Sequence, residues 1–211
     1  MLHQTKNTLA AAAELLGDLG PLLEQIGSPG GRAGALSPLY VRQINHLSEL
    51  RVFLRNYHAN ILQPLELPAI QRAFLNAGRN ELRELIAFDQ ELSLKSILQN
   101  FASASSRVGQ SQLQRLRPLR DQRLVQRYLA AVEQGEAHGW HTLVYGLTLA
   151  VYSLPLRQGL FGYAYQTTRG FIQSAAPSLA LSETDCHSLF EELCVDLPAG
   201  VEILLTQGIT P

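Results

Sequence analysis

The chain has 211 residues, 46% of them hydrophobic, and a formal net charge of −1. This length and apolar content suit one sizeable core, so we expect a single all-helical domain over residues 1–211. The near-neutral balance excludes the strongly basic composition typical of proteins that bind nucleic acid or anionic membranes.

Cysteine use and the N-terminal segment predict a cytoplasmic protein. Cys186 and Cys194 are eight residues apart, which favours a reducing compartment over a disulfide framework. Glu14 and Asp18 interrupt the first apolar run, so it does not resemble a signal peptide. No stretch of about 18 apolar residues predicts a membrane-spanning helix.

Apolar residues recur every three or four positions, whereas alternation typical of strands does not persist. The pattern therefore predicts an all-α fold, a helical bundle of about eight to ten helices. The predicted helices cover residues 8–26, 37–62, 65–77, 80–92, 94–116, 118–134, 141–153, 155–176 and 182–193. An N-terminal loop over 27–37 and a short tail over 196–211 complete the chain.

Several residues mark where these helices begin. Asn80, Ser93 and Ser182 are predicted N-caps, because their side chains accept hydrogen bonds from free backbone N–H groups. Pro118 and Pro155 stand where first helical turns are expected, a place where proline costs no hydrogen bond.

Small residues mark close approaches and joints. The stretch Ser103–Gly109 predicts that another backbone packs closely against its helix. Gly135 and Gly139 predict a joint between helices. In the tail, Val201–Leu205 is expected to be briefly extended, although no partner strand is visible.

His138 and His141 have the spacing of two metal ligands on one helix face. Gly139 interrupts that face and no second Cys/His pair lies near in sequence, so capping or partly buried histidines are the favoured interpretation. We expect no metal and no cofactor. An enzyme that uses His138 or His141 is kept as an alternative.

Other groups predict no catalytic centre. Ser105 and Ser106 lack a neighbouring base, and no Gly-x-Ser-x-Gly sequence supports acyl transfer. A set of carboxylates has the spacing of a solvated helix surface: Glu81, Glu84, Asp89 and Glu91.

The densest basic run contains Arg107, Arg115, Arg117, Arg120, Arg123 and Arg127. Arg120, Arg123 and Arg127 are spaced three and four apart, which predicts one helix face. This face suits docking of an acidic partner or RNA, although a solvated face with local ion pairs is the commoner meaning of such a run. No aromatic residues interleave with the arginines, so nucleic acid is not expected.

Aromatic residues gather in the two central predicted helices: Tyr145, Tyr152, Phe161, Tyr163, Tyr165 and Phe171. Core packing is the usual role of aromatic residues on helices. A helical small-molecule-binding protein, with a pocket among these rings, is the alternative.

The order of several short segments resembles the urease accessory protein F (UreF) family. The segments are His141–Leu147, Leu154–Leu156, Tyr163–Tyr165, Ser174–Ala176, Thr184–Asp185, Ala104–Gly109 with Leu113, and Leu67–Pro68 with Ala73–Phe74. Together they span residues 22–193, nearly the whole chain. His141 matches a position where that family carries histidine.

The resemblance implies a non-enzymatic chaperone for nickel metallocentre assembly. Such a protein binds other urease accessory proteins, a nickel-carrying GTPase and the urease apoprotein, and is expected to form a homodimer. The expected partner-binding residues are Arg107, Arg120, Arg123, Arg127, His141 and Tyr163.

The chain also departs from the family pattern. Leu36 and Pro38 replace the phenylalanine and tyrosine of an N-terminal signature, and Pro177 replaces a basic residue. The tail, Gln207–Pro211, lacks the family's arginine and phenylalanine. These differences leave open a paralogue with the same fold and a different protein partner.

Overall fold

The computed structural model describes residues 14–27, residue 30 and residues 44–207. Every regular element in these residues is helical, which confirms the all-α prediction. Within the same residues, no helix has both the length and the apolar character needed to cross a membrane. Most of the predicted 27–37 loop, the predicted helix start at Ser37 and the last four residues lie outside the described part.

The helices between His46 and Gln207 are numbered here in chain order. They are α1 (Leu47–Tyr57), α2 (Leu67–Gly78), α3 (Leu82–Ser93), α4 (Gln99–Arg115), α5 (Arg123–Glu133), α6 (His141–Val151), α7 (Leu156–Leu179), α8 (Glu183–Cys194) and α9 (Leu197–Gln207). A π-helical stretch, His58–Glu66, joins α1 to α2. Short 3-10 turns cover Gly17–Leu19 and Ser96–Leu98.

The chain divides into two compact units. The terminal unit consists of Met1–Leu65 and Arg157–Pro211, and the central unit consists of Glu66–Leu156. The expectation of one domain over residues 1–211 stays a prediction.

Two predicted helices have different bounds in the described residues. The described part of the predicted 37–62 helix begins at Leu47, and π-helical backbone containing Pro64 replaces its last turn. Proline has no N–H with which to continue the helical hydrogen bonds. The predicted 118–134 helix begins at Arg123, because residues 116–122 form turns that precede it.

Two predicted N-caps have other roles. Asn80 has a φ of 58°, in the left-handed region, and Glu81 occupies the N-cap position of α3. Ser93 is the last residue of α3, and α4 starts later, at Gln99. Ser182 does cap α8: its Oγ accepts from the Asp185 N–H at 3.1 Å, and Asp185 accepts from the Ser182 N–H at 3.1 Å.

The tail was also predicted wrongly, because Val201–Leu205 lies inside α9. Leu197 and Val201 are buried four residues apart, so they lie on one face of that helix. Short apolar runs fit a strand or a buried helix equally well, and here helix packing decides.

Aromatic side chains form the core of the terminal unit. Phe171 of α7 contacts Phe53 and Tyr57 of α1, with ring centroids 5.5 and 4.8 Å apart. Tyr165 lies between Phe161 and Phe190, at 6.3 and 5.9 Å. The rings predicted to line a pocket therefore have packing roles, except Tyr152, which is exposed.

Helix α6 is the centre of the central unit. Every residue from His141 to Leu149 is buried, so its apolar character extends all around the helix. It packs against α2 and α4. Contact with α2 depends on Gly146, where an added Cβ would lie 2.5 Å from the Ile70 carbonyl oxygen and 2.9 Å from the Ala73 Cβ.

We predict that Gly146→Ala lowers the free energy of unfolding by about 3 kcal/mol, because the new methyl group forces two backbones apart. Gly78→Ala is the matched control: nothing lies within 4 Å of its added Cβ, so it is expected to stabilise by about 0.5 kcal/mol. Urea unfolding followed by helical circular dichroism measures both. Equal stability of the two variants would contradict this account of the contact.

Candidate functional site

A fully buried carboxylate organises the central unit. Asp89, on α3, accepts hydrogen bonds from the Tyr128 hydroxyl at 2.6 Å, the His138 N–H at 2.6 Å and the Gly139 N–H at 2.9 Å. The Trp140 N–H lies 3.4 Å from the same carboxylate. Three successive backbone N–H groups thus converge on one anion, in the arrangement called a nest.

Glycine makes this loop possible. Gly139 has a φ of +71°, a conformation that side chains with a Cβ rarely adopt. Its carbonyl oxygen lies so close to Gly109 of α4 that a Cβ there would overlap it. This contact confirms that the Ser103–Gly109 stretch admits another backbone.

Further side chains fix the same loop. The Trp140 Nε1–H donates to the Ser93 Oγ at 2.8 Å, and the Ser93 hydroxyl donates to the Asp89 carbonyl oxygen at 3.0 Å. The Gln110 amide donates to the His138 carbonyl oxygen at 2.9 Å. We name Asp89, Ser93, Tyr128, His138 and Trp140 the Asp89 cluster.

The prediction that Asp89 belongs to a solvated surface was wrong. Leu85, Asp89 and Leu92 are spaced four and three apart, so they share the buried face of α3. That spacing was the available signal in the sequence. The burial of Tyr128 and the adjacent Asp89 charge raise the pKa of the tyrosine well above its usual range.

The Asp89 cluster contains serine, histidine and aspartate, but it is not a catalytic triad. The Ser93 Oγ and the Asp89 Oδ1 both lie near the Nδ1 of His138, at 2.9 and 3.2 Å. In a triad, the nucleophile and the carboxylate contact opposite ring nitrogens. The geometry therefore does not activate Ser93.

An arginine surface lies on the outer side of the same unit. Helix α5 buries Leu124, Val125 and Tyr128, whereas Arg123 and Arg127 are exposed. The preceding turn carries the exposed Arg120. We define the arginine surface as Arg120, Arg123 and Arg127; Arg107 is exposed on α4.

One side chain fixes the turn that presents Arg120. The Gln126 amide donates to the carbonyl oxygens of Arg117 and Leu119, at 3.1 and 3.0 Å. The prediction that all three arginines share one helix face was wrong. Because α5 begins at Arg123, Arg120 lies in the preceding turn.

The arginine surface has no carboxylate partner among the described residues. Arg117 pairs with Glu133, whereas Arg107, Arg120, Arg123 and Arg127 have no carboxylate oxygen of a described residue within 4.0 Å. Arg123 is also the first residue of α5, at the positive end of its helix dipole, where a cation is disfavoured. An anionic partner would supply the carboxylate contacts and would offset the unfavourable position of Arg123 at the start of the helix.

His141 and Tyr163 are placed differently from the arginines. His141 is buried at the start of α6, and its backbone N–H donates to the Ser105 Oγ at 3.1 Å. Tyr163 is buried in α7, in the terminal unit. Both have packing roles in this structure, and their contact with a partner stays a prediction.

The chain is similar to known proteins of one family. A model of the UreF family matches residues 44–194. The chain belongs to the UreF family. This match covers α1 to α8, so both the Asp89 cluster and the arginine surface lie within the matched residues.

Two relatives are each named "Urease accessory protein UreF". One, from Actinobacillus pleuropneumoniae, is 21% identical over 192 residues, covering 82% of this chain and 85% of the relative. The other, from Psychrobacter cryohalolentis, is 26% identical over 181 residues, covering 86% and 76%. The likeness spans most of each protein at low identity.

We predict that Asp89→Asn lowers the free energy of unfolding by about 3 kcal/mol, because the charge that binds the nest is lost and an amide N–H₂ faces backbone donors. Tyr128→Phe removes one of these hydrogen bonds and should cost about 1.5 kcal/mol. Glu84→Gln, an exposed change on the same helix, is the control. Urea unfolding measures all three, and a neutral Asp89→Asn would contradict the assigned role.

Acid is expected to destabilise the chain through two buried histidines. Burial lowers the pKa of both His58 and His141 to about 4. The neutral His58 ring donates from Nε2 to the Thr168 Oγ at 2.8 Å. The Thr168 Oγ can accept this bond because its own proton goes to the Ala164 carbonyl. In the unfolded chain each imidazole takes up a proton near pH 6.5, so the unfolded state gains protons first.

The free energy of unfolding should therefore be highest above about pH 7, with respect to these two histidines, and should fall progressively between pH 6.5 and 4. At pH 5 each histidine should have lowered it by about 2 kcal/mol. Unfolding free energies at pH 7.5 and 5.0 test this. His58→Asn should reduce the loss on acidification, whatever its stability at neutral pH. His46→Gln, an exposed change, should leave the loss unaltered.

Proposed function

We propose that this protein is a non-enzymatic scaffold of urease maturation, which helps place nickel in the urease active site by binding other accessory proteins. Membership of the UreF family carries this proposal, together with the printed names of the two relatives. The further partners are a nickel-carrying GTPase and the urease apoprotein. The proposed form is a cytoplasmic homodimer.

The physical support is the arginine surface. Its exposed guanidinium groups have no carboxylate partner among the described residues. The inner face of α5 is fixed by the hydrogen bond from the Tyr128 hydroxyl to Asp89. Arginine presents a rigid fork of donors that matches carboxylates, which suits recognition of an acidic protein face. Arg107 is included as a second point of contact, on α4.

A changed partner is the competing proposal, and the low identity to both relatives supports it. Affinity-tagged protein should be recovered from its native cells and its companions identified. Urease subunits or a P-loop GTPase among them would support the maturation role. Folded, abundant protein that recovers neither would favour a paralogue with a different partner.

Charge reversal tests the docking surface. We predict that Arg120→Glu with Arg123→Glu abolishes recovery of the partner, because two attractive contacts become repulsive. Arg79→Glu with Arg83→Glu is the matched control: it makes the same charge change at exposed positions of the same unit and should leave recovery intact. Equal loss in both variants would show a general charge effect and would contradict a specific surface.

A further inference from the structure

We infer that His138 is a pre-oriented nitrogen ligand for a divalent transition-metal ion such as Ni²⁺ or Zn²⁺. The site goes beyond the scaffold role proposed above, which assigns the protein no metal ligand. It also stands if the partner proves to be different, because it depends only on the Asp89 cluster.

The hydrogen bonds of the cluster fix which ring nitrogen carries the proton. The single proton of the Ser93 hydroxyl goes to the Asp89 carbonyl oxygen, which can only accept. Ser93 therefore offers His138 a lone pair, and the Asp89 carboxylate offers another. Both lie at Nδ1, so Nδ1 must be the donor and neutral His138 carries its free lone pair on Nε2.

Because Nδ1 faces the buried carboxylate, we place Nε2 on the exposed side of the ring. The His138 side chain is 54% exposed, whereas the Asp89 side chain behind it is fully buried. Two contacts at Nδ1 orient the ring. The backbone that carries it is also held, its N–H by Asp89 and its carbonyl by Gln110. A fixed imidazole thus presents one acceptor nitrogen to solvent.

This is the arrangement that metal-binding histidines use. A ligating histidine almost always donates its other N–H to a carboxylate or a similar acceptor, which sets the tautomer and raises the basicity of the free nitrogen. Imidazole nitrogen suits Zn²⁺, Cu²⁺ and Ni²⁺, which separates these ions from Mg²⁺ and Ca²⁺.

His138 is one position of the site and not a complete cage. No group of three or more candidate ligands occurs among the residues that the structure describes. The exposed Glu136 lies two residues earlier in the same loop, whose backbone is held by the Gln90 amide at 2.8 Å. Water or a partner would supply the remaining ligands, which suits a metal that is passed on.

The first test is the tautomer of the untagged protein, read from nitrogen-15 histidine ring spectra at pH 8.5. We expect the His138 ring to carry its proton on Nδ1, and we expect added Zn²⁺ to shift its Nε2 resonance. A proton on Nε2 would overturn the inference, as would an Nε2 resonance that Zn²⁺ leaves unchanged.

The second test compares Zn²⁺ and Ni²⁺ affinity by titration calorimetry. His138→Gln should weaken binding at least about 10-fold while keeping the fold, since its backbone contacts remain. His187→Gln, which removes another half-exposed ring, is the matched control and should leave the affinity unchanged.

Ser93→Ala tests the orienting shell without touching the ligand. It should lower the affinity about 10-fold, the effect typical of an outer-shell partner. Equal affinity of the wild type and His138→Gln would show that the metal binds elsewhere. These titrations use no partner protein, so their failure would leave the maturation role standing.

Discussion

The central unit depends on one buried negative charge. Burying a carboxylate is costly unless hydrogen bonds replace its lost water. Asp89 obtains them from a tyrosine hydroxyl on α5 and from successive N–H groups ahead of α6. It thereby joins α3, α5 and the start of α6, three segments distant in sequence. Removing any one of these donors leaves part of a buried charge unsatisfied.

The same bonds connect the interior with the candidate surface. Tyr128 ties the inner face of α5 to Asp89, so the opposite face, with Arg123 and Arg127, is presented in a fixed direction. Gln126 holds the turn that carries Arg120. An interface pays less to order its side chains when the backbone beneath them is already fixed. The arginines of this surface therefore lie on a backbone that is already fixed, which suits docking.

Much of the fold could be predicted from the sequence, because apolar spacing reports helices directly. Ser182 with Asp185 was recognisable as a cap, and the small residues near Gly109 predicted a close approach. Asp89 was missed since charge suggested a surface, although its spacing from Leu85 and Leu92 placed it inside. The π-helical stretch at His58–Glu66 and the turns over 116–122 depend on tertiary packing, which local propensity does not contain.

Fold and partner place different demands on this sequence. The fold requires specific residues at a few places, such as glycine where α6 meets α2 and where Gly109 meets the loop before α6. Among the described residues the arginines of this surface form no ion pair with a carboxylate, so we expect substitution there to cost the fold little. Membership of the UreF family therefore constrains the scaffold more tightly than it constrains the partner. A chain can therefore keep the Asp89 cluster while the residues of the arginine surface change.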